Sequence, residues 1–132
     1  MDLQELSIKL TDYHCDGMGF ECFLMTEDVM QVVVDENDEL PIFVTMTEEQ
    51  ILCISYLFDQ KELKENVIDQ LNKTLLTLNV PIPLSAFAII EDKYAIYGAL
   101  SIRSSFNDIA HELVTLADNA IDALETLEEF LS

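Results

Sequence analysis

The segment from Ser105 to Leu131 limits the fold more than any other. Ile109, Leu113, Leu116, Ala120, Leu124, Leu127 and Leu131 recur there at spacings of three and four, with no glycine or proline among them. That period lays a single apolar stripe along one long helix, and Ser105 stands where an N-cap belongs. A helix with one apolar side must lie across another apolar layer. The rest of the chain has to supply it.

The preceding residues read as the material for that layer. Leu3, Leu6, Leu10 and Tyr13 share the helical spacing, with Asp2 as N-cap and Glu5 as its capping-box partner, so a first helix is expected over Asp2 to His14. Gly17 and Gly19 end that pattern. Four runs rich in β-branched and aromatic residues follow, Phe20 to Thr26, Val29 to Val34, Leu40 to Thr47 and Gln50 to Phe58, and they read as an antiparallel meander. The acidic stretch Asp35-Glu36-Asn37-Asp38-Glu39 is expected as one of its turns. Asp59 with Glu62 signals the start of a second helix, whose Leu63, Val67, Leu71, Leu75 and Leu78 form a buried stripe and which Pro81 and Pro83 close. Ser85 to Ile90 and Tyr94 to Ile102 read as two more strands around a turn at Glu91-Asp92-Lys93. The order is α-β-β-β-β-α-β-β-α. Strands and helices come in blocks rather than in strict alternation, which gives an α+β class with a largely antiparallel sheet packed against helices. A chain of 132 residues without a dividing linker makes one domain over residues 1–132.

Charge narrows the function. Six Lys and Arg against 26 Asp and Glu give a formal charge of −20. Nucleic acids and anionic lipid are bound largely through Lys and Arg, so both are disfavoured as partners. A basic protein partner would relieve the self-repulsion of such a chain. Half of the residues are apolar, more than a chain this short can bury internally, which points to a homodimer. Cys15, Cys22 and Cys53 form an odd set with no CxxC pair, as expected of reduced thiols in a cytoplasmic protein. The segment MDLQELSIKL lacks the features of a signal peptide, and no apolar run nears the ~20 residues that span a bilayer.

Motifs for catalysis or cofactors are absent. There is no GxxxxGK[ST], GxSxG or GxGxxG, and no cofactor is implied. His14, Cys15 and Cys22 invite a metal, but their spacing matches no common zinc pattern, and further ligands would come from Cys53, His111 or a distant carboxylate; no metal site is expected. His111 and Glu112 are neighbours on a helix, diverge by about 100°, and read as a solvated pair. The acidic stretch from Asp35 imitates a calcium loop, yet Leu40 stands where the loop needs glycine and Met46 where it needs the bidentate Glu. No nucleophile, base and orienter stand out together, so an enzyme is not expected.

The last helix carries the best candidate surface. From Asn107 to Ser132 it holds Asp108, Glu112, Asp118, Asp122, Glu125, Glu128 and Glu129 and no Lys or Arg. Like charges four apart, as in Asp118 with Asp122 and Glu125 with Glu129, destabilise a helix by a few tenths of a kcal/mol, and acids in the last turn oppose its dipole. Asp118, Asp122, Glu125 and Glu129 are therefore the candidate partner-binding residues, with simple solvation of the helix as the alternative.

The stretches Pro83-Leu84-Ser85-Ala86-Phe87, Tyr94-Ala95-Ile96-Tyr97-Gly98-Ala99-Leu100-Ser101 and Asp118-Asn119-Ala120-Ile121-Asp122-Ala123-Leu124 resemble the YjfI-like family of bacterial proteins of unknown function. The resemblance implies a bacterial cytoplasmic protein working near a phage-shock-protein-A-like membrane-stress partner, and it brings no catalytic residue. The element order also resembles the type III secretion chaperones and the YbjN-like sensors, α+β proteins that bind extended segments of other proteins. Together these point to a non-enzymatic, chaperone-like, protein-binding module acting as a homodimer. The alternative is a small sensor domain that binds a ligand or responds to redox state through Cys15, Cys22 and Cys53.

Overall fold

The computed structural model describes all 132 residues. Helix α1 (Leu3–Thr11) leads into β1 (Phe20–Leu24), β2 (Met30–Val34), β3 (Asn37–Met46) and β4 (Gln50–Asp59). Helix α2 (Ile68–Leu78), strands β5 (Ala86–Ile90) and β6 (Lys93–Ser101) and helix α3 (Phe106–Leu127) follow. Two short 3-10 turns, Gln60–Glu62 and Glu128–Phe130, complete the chain. All six strands form one antiparallel sheet in the order β1-β2-β3-β4-β6-β5. The expected class and order hold. The meander and the later hairpin are joined along β4 and β6, which pair from Gln50 opposite Ser101 to Asp59 opposite Lys93.

One face of this sheet is the core. Met30, Val32 and Val34 of β2, Ile42 and Val44 of β3, Ile51 and Cys53 of β4, and Tyr94 and Ile96 of β6 are buried at the period of two that a strand imposes. Helix α3 crosses β2, β3, β4 and β6 on that face. It buries Ile109, Leu113, Leu116 and Leu127, and also Ala110, Ala117, Ala120 and Ala123, whose small side chains let its backbone come close. Each large side chain removed from water contributes about 1.5–3 kcal/mol, so this helix is the main source of burial. Helix α1 packs on β1 through Leu3, Leu6 and Leu10, and α2 enters the same core through Leu71 and Leu75. The opposite face has no helix on it. It carries half-buried Val33, Phe43, Leu52, Ile54, Tyr56 and Tyr97.

Several boundaries fall elsewhere than the pattern suggested. Helix α1 stops at Thr11, because residues 15–18 close a separate turn. The acidic stretch turns only at Asp35-Glu36, where Glu36 takes a φ of 69°, and Asn37 to Glu39 already belong to β3. Asp59 and Glu62 do form a capping box, but on the 3-10 turn rather than on α2. Leu63 leaves the helical path to pair with Leu131, Lys64 N–H donates to the Phe130 carbonyl at 2.9 Å, and Ser132 N–H donates to the Glu62 carbonyl at 2.8 Å. That pairing also ends α3 at Leu127, short of the expected Leu131. A helix signal requires only local spacing; here two distant segments compete for the same backbone groups and win.

The largest departure is Glu112. His111 is exposed as expected, whereas Glu112 is only 5% exposed. In its first half α3 is buried well beyond the stripe, with Ala110, Val114 and Ala117 also covered, and Glu112 lies within that arc. Its carboxylate lies over Gly98, in the space where a β-carbon at that position would stand, and a carbonyl oxygen, that of Leu84, would lie 3.2 Å from the same atom. Gly98→Ala should destabilise the fold by about 1–3 kcal/mol through this overpacking. Adding Glu112→Ala should recover part of the loss. Urea melts of the two single variants and the double variant test it; additive losses would contradict the contact.

Candidate functional site

The thiols are the first candidates for chemistry, and the structure separates them. Cys53 is buried on β4 opposite Gly98; burial and the nearby Glu112 carboxylate push its thiol up to about 12. Cys22, half-buried on β1, is pushed up to about 11 by burial, against a lowering contribution from Thr11. Glu112 is itself held above the ordinary carboxylate range by burial, with His111 pulling the other way. Burial thus holds the Cys53 thiol toward its protonated form, in which it packs as a small hydrophobe. His14 does not join Cys15 and Cys22 in a ligand set. Its Nε2 lies against Gly19 beside the Asp35 carboxylate, which accepts from Gly19 N–H at 3.0 Å.

The acidic candidates lie where a partner can reach them. Asp118, Asp122, Glu125 and Glu129 are all exposed. The first three share the outer face of α3, while Glu129 sits on the 3-10 turn beyond it. Asp118 is partly engaged, accepting from Asn37 Nδ2 at 2.9 Å. Asp122 borders a groove of about 280 Å³ between α3 and the loop after α2, where Pro81, Ile82, Pro83, Asn119 and Thr126 also stand. An apolar floor with a carboxylate at its edge suits a Lys or Arg side chain, which lays its stem on the floor and its charge at the rim.

A second surface was not foreseen. Strand β5 is an edge of the sheet, and α2 runs beside it. Leu76 is 71% exposed and Ile89 is 49% exposed, and both line a shallow groove with Leu75 and Phe87. Val80 and Leu84 extend the exposed apolar residues into the following loop. The strand Ala-Phe-Ala-Ile-Ile has no charge and no proline to discourage pairing with another chain. Apolar surface available to a second molecule therefore lies here, on the uncovered sheet face and at the opposite edge, where Ile8, Phe23 and Met25 are exposed; the apolar stripe of α3, expected as one option for a dimer contact, is spent on the core.

Asparagines hold these surfaces in place. Asn79 Oδ1 accepts from Phe87 N–H at 2.6 Å, Asn119 Nδ2 donates to the Pro83 carbonyl at 2.9 Å and to Ser85 Oγ at 3.0 Å, and Asn72 Oδ1 accepts from the Tyr94 hydroxyl at 2.8 Å. Asn is a poor helix former because its amide competes for backbone groups. Asn72 and Asn119 inside helices, and Asn79 at a helix end, were the signal available in the sequence for cross-links of this kind.

Comparison with known proteins agrees with the architecture. The family described as "Uncharacterized protein conserved in bacteria (DUF2170)" matches residues 1–131. "Uncharacterized protein YjfI" of Escherichia coli K12 is 29% identical over 109 residues, 80% of each chain, and the protein of the same name in E. coli O157:H7 matches to the same extent. Among solved structures, a chain of the ExsC-ExsE complex superposes with a TM-score of 0.53 at 15% identity, covering 95% of this chain and 96% of that one. At that identity the likeness is one of fold. It is the type III secretion chaperone-like fold that the element order resembles.

The thiols give a direct check on this geometry. In the folded, metal-free protein an aromatic disulfide reagent should label Cys15 first and Cys22 more slowly, whereas Cys53 should react only as fast as the chain opens. Peptide mapping against labelling time decides it; early modification of Cys53 would contradict its placement.

Proposed function

The chain belongs to the DUF2170 family of bacterial proteins, and on that premise we propose that it is a non-enzymatic, chaperone-like module that binds a basic segment of another protein. The observation that carries this is the groove between α3 and the loop after α2: an apolar floor edged by the exposed carboxylate of Asp122, in a chain of charge −20. Support also comes from the fold, shared with a chain of a two-protein complex. In this proposal Asp118, Asp122, Glu125 and Glu129 form a charged rim that steers the partner in and fixes its register, the usual role of rim charges. The proposal includes a cytoplasmic location and a phage-shock-protein-A-like partner, the latter supplied by the YjfI-like resemblance. No helix is long and apolar enough to cross a membrane.

The same proposal makes the protein a homodimer. The α2–β5 edge favours this reading, since two antiparallel copies of one apolar edge strand satisfy a twofold axis. The groove beside Asp122 adjoins this edge, with Phe87 lining both, and draws its other walls from α3 and the Pro81–Pro83 loop.

Two experiments separate these surfaces. Replacing Asp118 and Asp122 by Asn and Glu125 and Glu129 by Gln should raise the melting temperature slightly, by removing like-charge repulsion worth a few tenths of a kcal/mol per pair. It should also slow association with the captured partner and flatten its salt dependence. Unchanged association at low and high salt would show that the acidic face is only solvated. Leu76→Glu with Ile89→Lys should leave a folded monomer in sedimentation equilibrium at micromolar concentration. A wild-type protein that is already monomeric at 15.0 kDa would remove the dimer.

A further inference from the structure

One cluster outside these surfaces brings together three different metal-binding groups. The turn from Cys15 to Met18 is closed by two backbone hydrogen bonds, each of 2.9 Å, one in each direction between these two residues. Its two central residues, Asp16 and Gly17, have φ values of 53° and 82°. Positive φ at both positions is the signature of a type I′ turn, which fixes the backbone of the Cys15-Asp16 pair. Opposite it stands His111, in the second turn of α3 and 95 residues further along the chain. The Cys15 sulfur, an Asp16 carboxylate oxygen and a His111 ring nitrogen all lie within 4.8 Å of one another. Cys15 and Asp16 already touch, with the thiol donating to Asp16 Oδ2 at 3.9 Å. The His111 ring has no hydrogen-bond partner. Asp16 and His111 are exposed and Cys15 is half-buried, so an ion has an open approach from solvent.

We propose that Cys15, Asp16 and His111 form a three-ligand zinc site that clasps the turn after α1 to helix α3. A thiolate, an imidazole and a carboxylate together are a donor set for zinc, and tetrahedral coordination leaves the fourth position to water. Zinc bonds of about 2.0–2.3 Å place neighbouring ligand atoms roughly 3.3–3.8 Å apart. The cluster therefore has to close by about an ångström, which a rotation of the His111 side chain supplies. On binding, the Cys15 thiol gives its proton to solvent and coordinates as thiolate. The chain's charge of −20 raises the local concentration of cations around it. The three ligands come from segments that the sequence alone could not pair: His14 and Cys22, the neighbours in sequence, are not in the set, and Asp16 and His111 replace them.

The clasp has a structural consequence. It ties the N-terminal segment to α3 one residue before Glu112, where the helix meets Gly98. Metal occupancy would stabilise the docking of α3 without touching the groove beside Asp122. The proposal therefore stands or falls independently of the protein-binding reading.

The test uses the full chain, stripped with a chelator and titrated with cobalt(II), then with zinc(II). One cobalt per chain is expected, with the visible bands of a tetrahedral site and the near-ultraviolet charge-transfer band of a cobalt–thiolate bond; zinc should bleach both. Zinc at a hundredfold excess over its dissociation constant should raise the melting temperature by several degrees, corresponding to about 2.7 kcal/mol by mass action. Cys15→Ser should abolish the charge-transfer band, and His111→Gln should weaken binding at least tenfold. His14→Gln and Cys22→Ala should leave both properties unchanged. Circular dichroism of each metal-free variant shows whether it is folded, and Asp16→Asn provides a third ligand variant should one of the others fail to fold. Cobalt binding without a thiolate band, or a thiolate band that survives Cys15→Ser, overturns the site.

Discussion

Everything else in this structure depends on how closely α3 lies on the sheet. The helix uses Ala110, Ala117, Ala120 and Ala123 between its large side chains, and β6 answers with Gly98. Small residues on both sides bring the two backbones close enough for other contacts to form. Asn119 can then reach the Pro83 carbonyl and Ser85, and Asp118 can meet Asn37. The same approach traps Glu112 between helix and strand. A single carboxylate so placed, raised in pKa by burial, is a local cost that the surrounding apolar contacts offset.

The period of three and four from Ile109 to Leu127 made α3 legible, and the alternation in β2 to β4 made the sheet legible, because each depends only on neighbours along the chain. Element order followed, and with it the α+β class. The boundaries around Leu63 and Leu131 were not legible. They are set by a backbone pairing between residues 62–64 and 130–132, and no local pattern encodes a contact across some seventy residues. Glu112 was misplaced for a related reason: its helical angle is known from sequence, but the width of the buried arc depends on what packs against it. Asp118, Asp122, Glu125 and Glu129 are on the surface, where the sequence put them. The apolar edge at Leu76 and Ile89 was missed because those residues look like core when read one at a time.

The surfaces suit a protein that holds other proteins. The helical side of the sheet is filled, and it buries Cys53 and Glu112, both displaced toward their protonated forms. Exposed apolar side chains lie at the α2–β5 edge, and the Asp122 carboxylate of α3 borders the neighbouring groove. Apolar contact with a charged rim is the common anatomy of a protein interface. A chain with 26 acidic and six basic residues sets the sign of what that rim can attract.

The most direct measurement is zero-length carbodiimide crosslinking of the protein with the partner that co-purifies from a bacterial lysate, followed by mass-spectrometric mapping of the joined residues. This chemistry joins carboxylates to lysines only where they touch. A basic segment seated in the groove beside α3 gives crosslinks from Asp118, Asp122 or Glu125 to lysines of the partner, fading as salt is raised. Crosslinks that avoid α3 and come instead from the acids around Asp35 to Glu39, with no dependence on salt, would contradict a partner seated on this face.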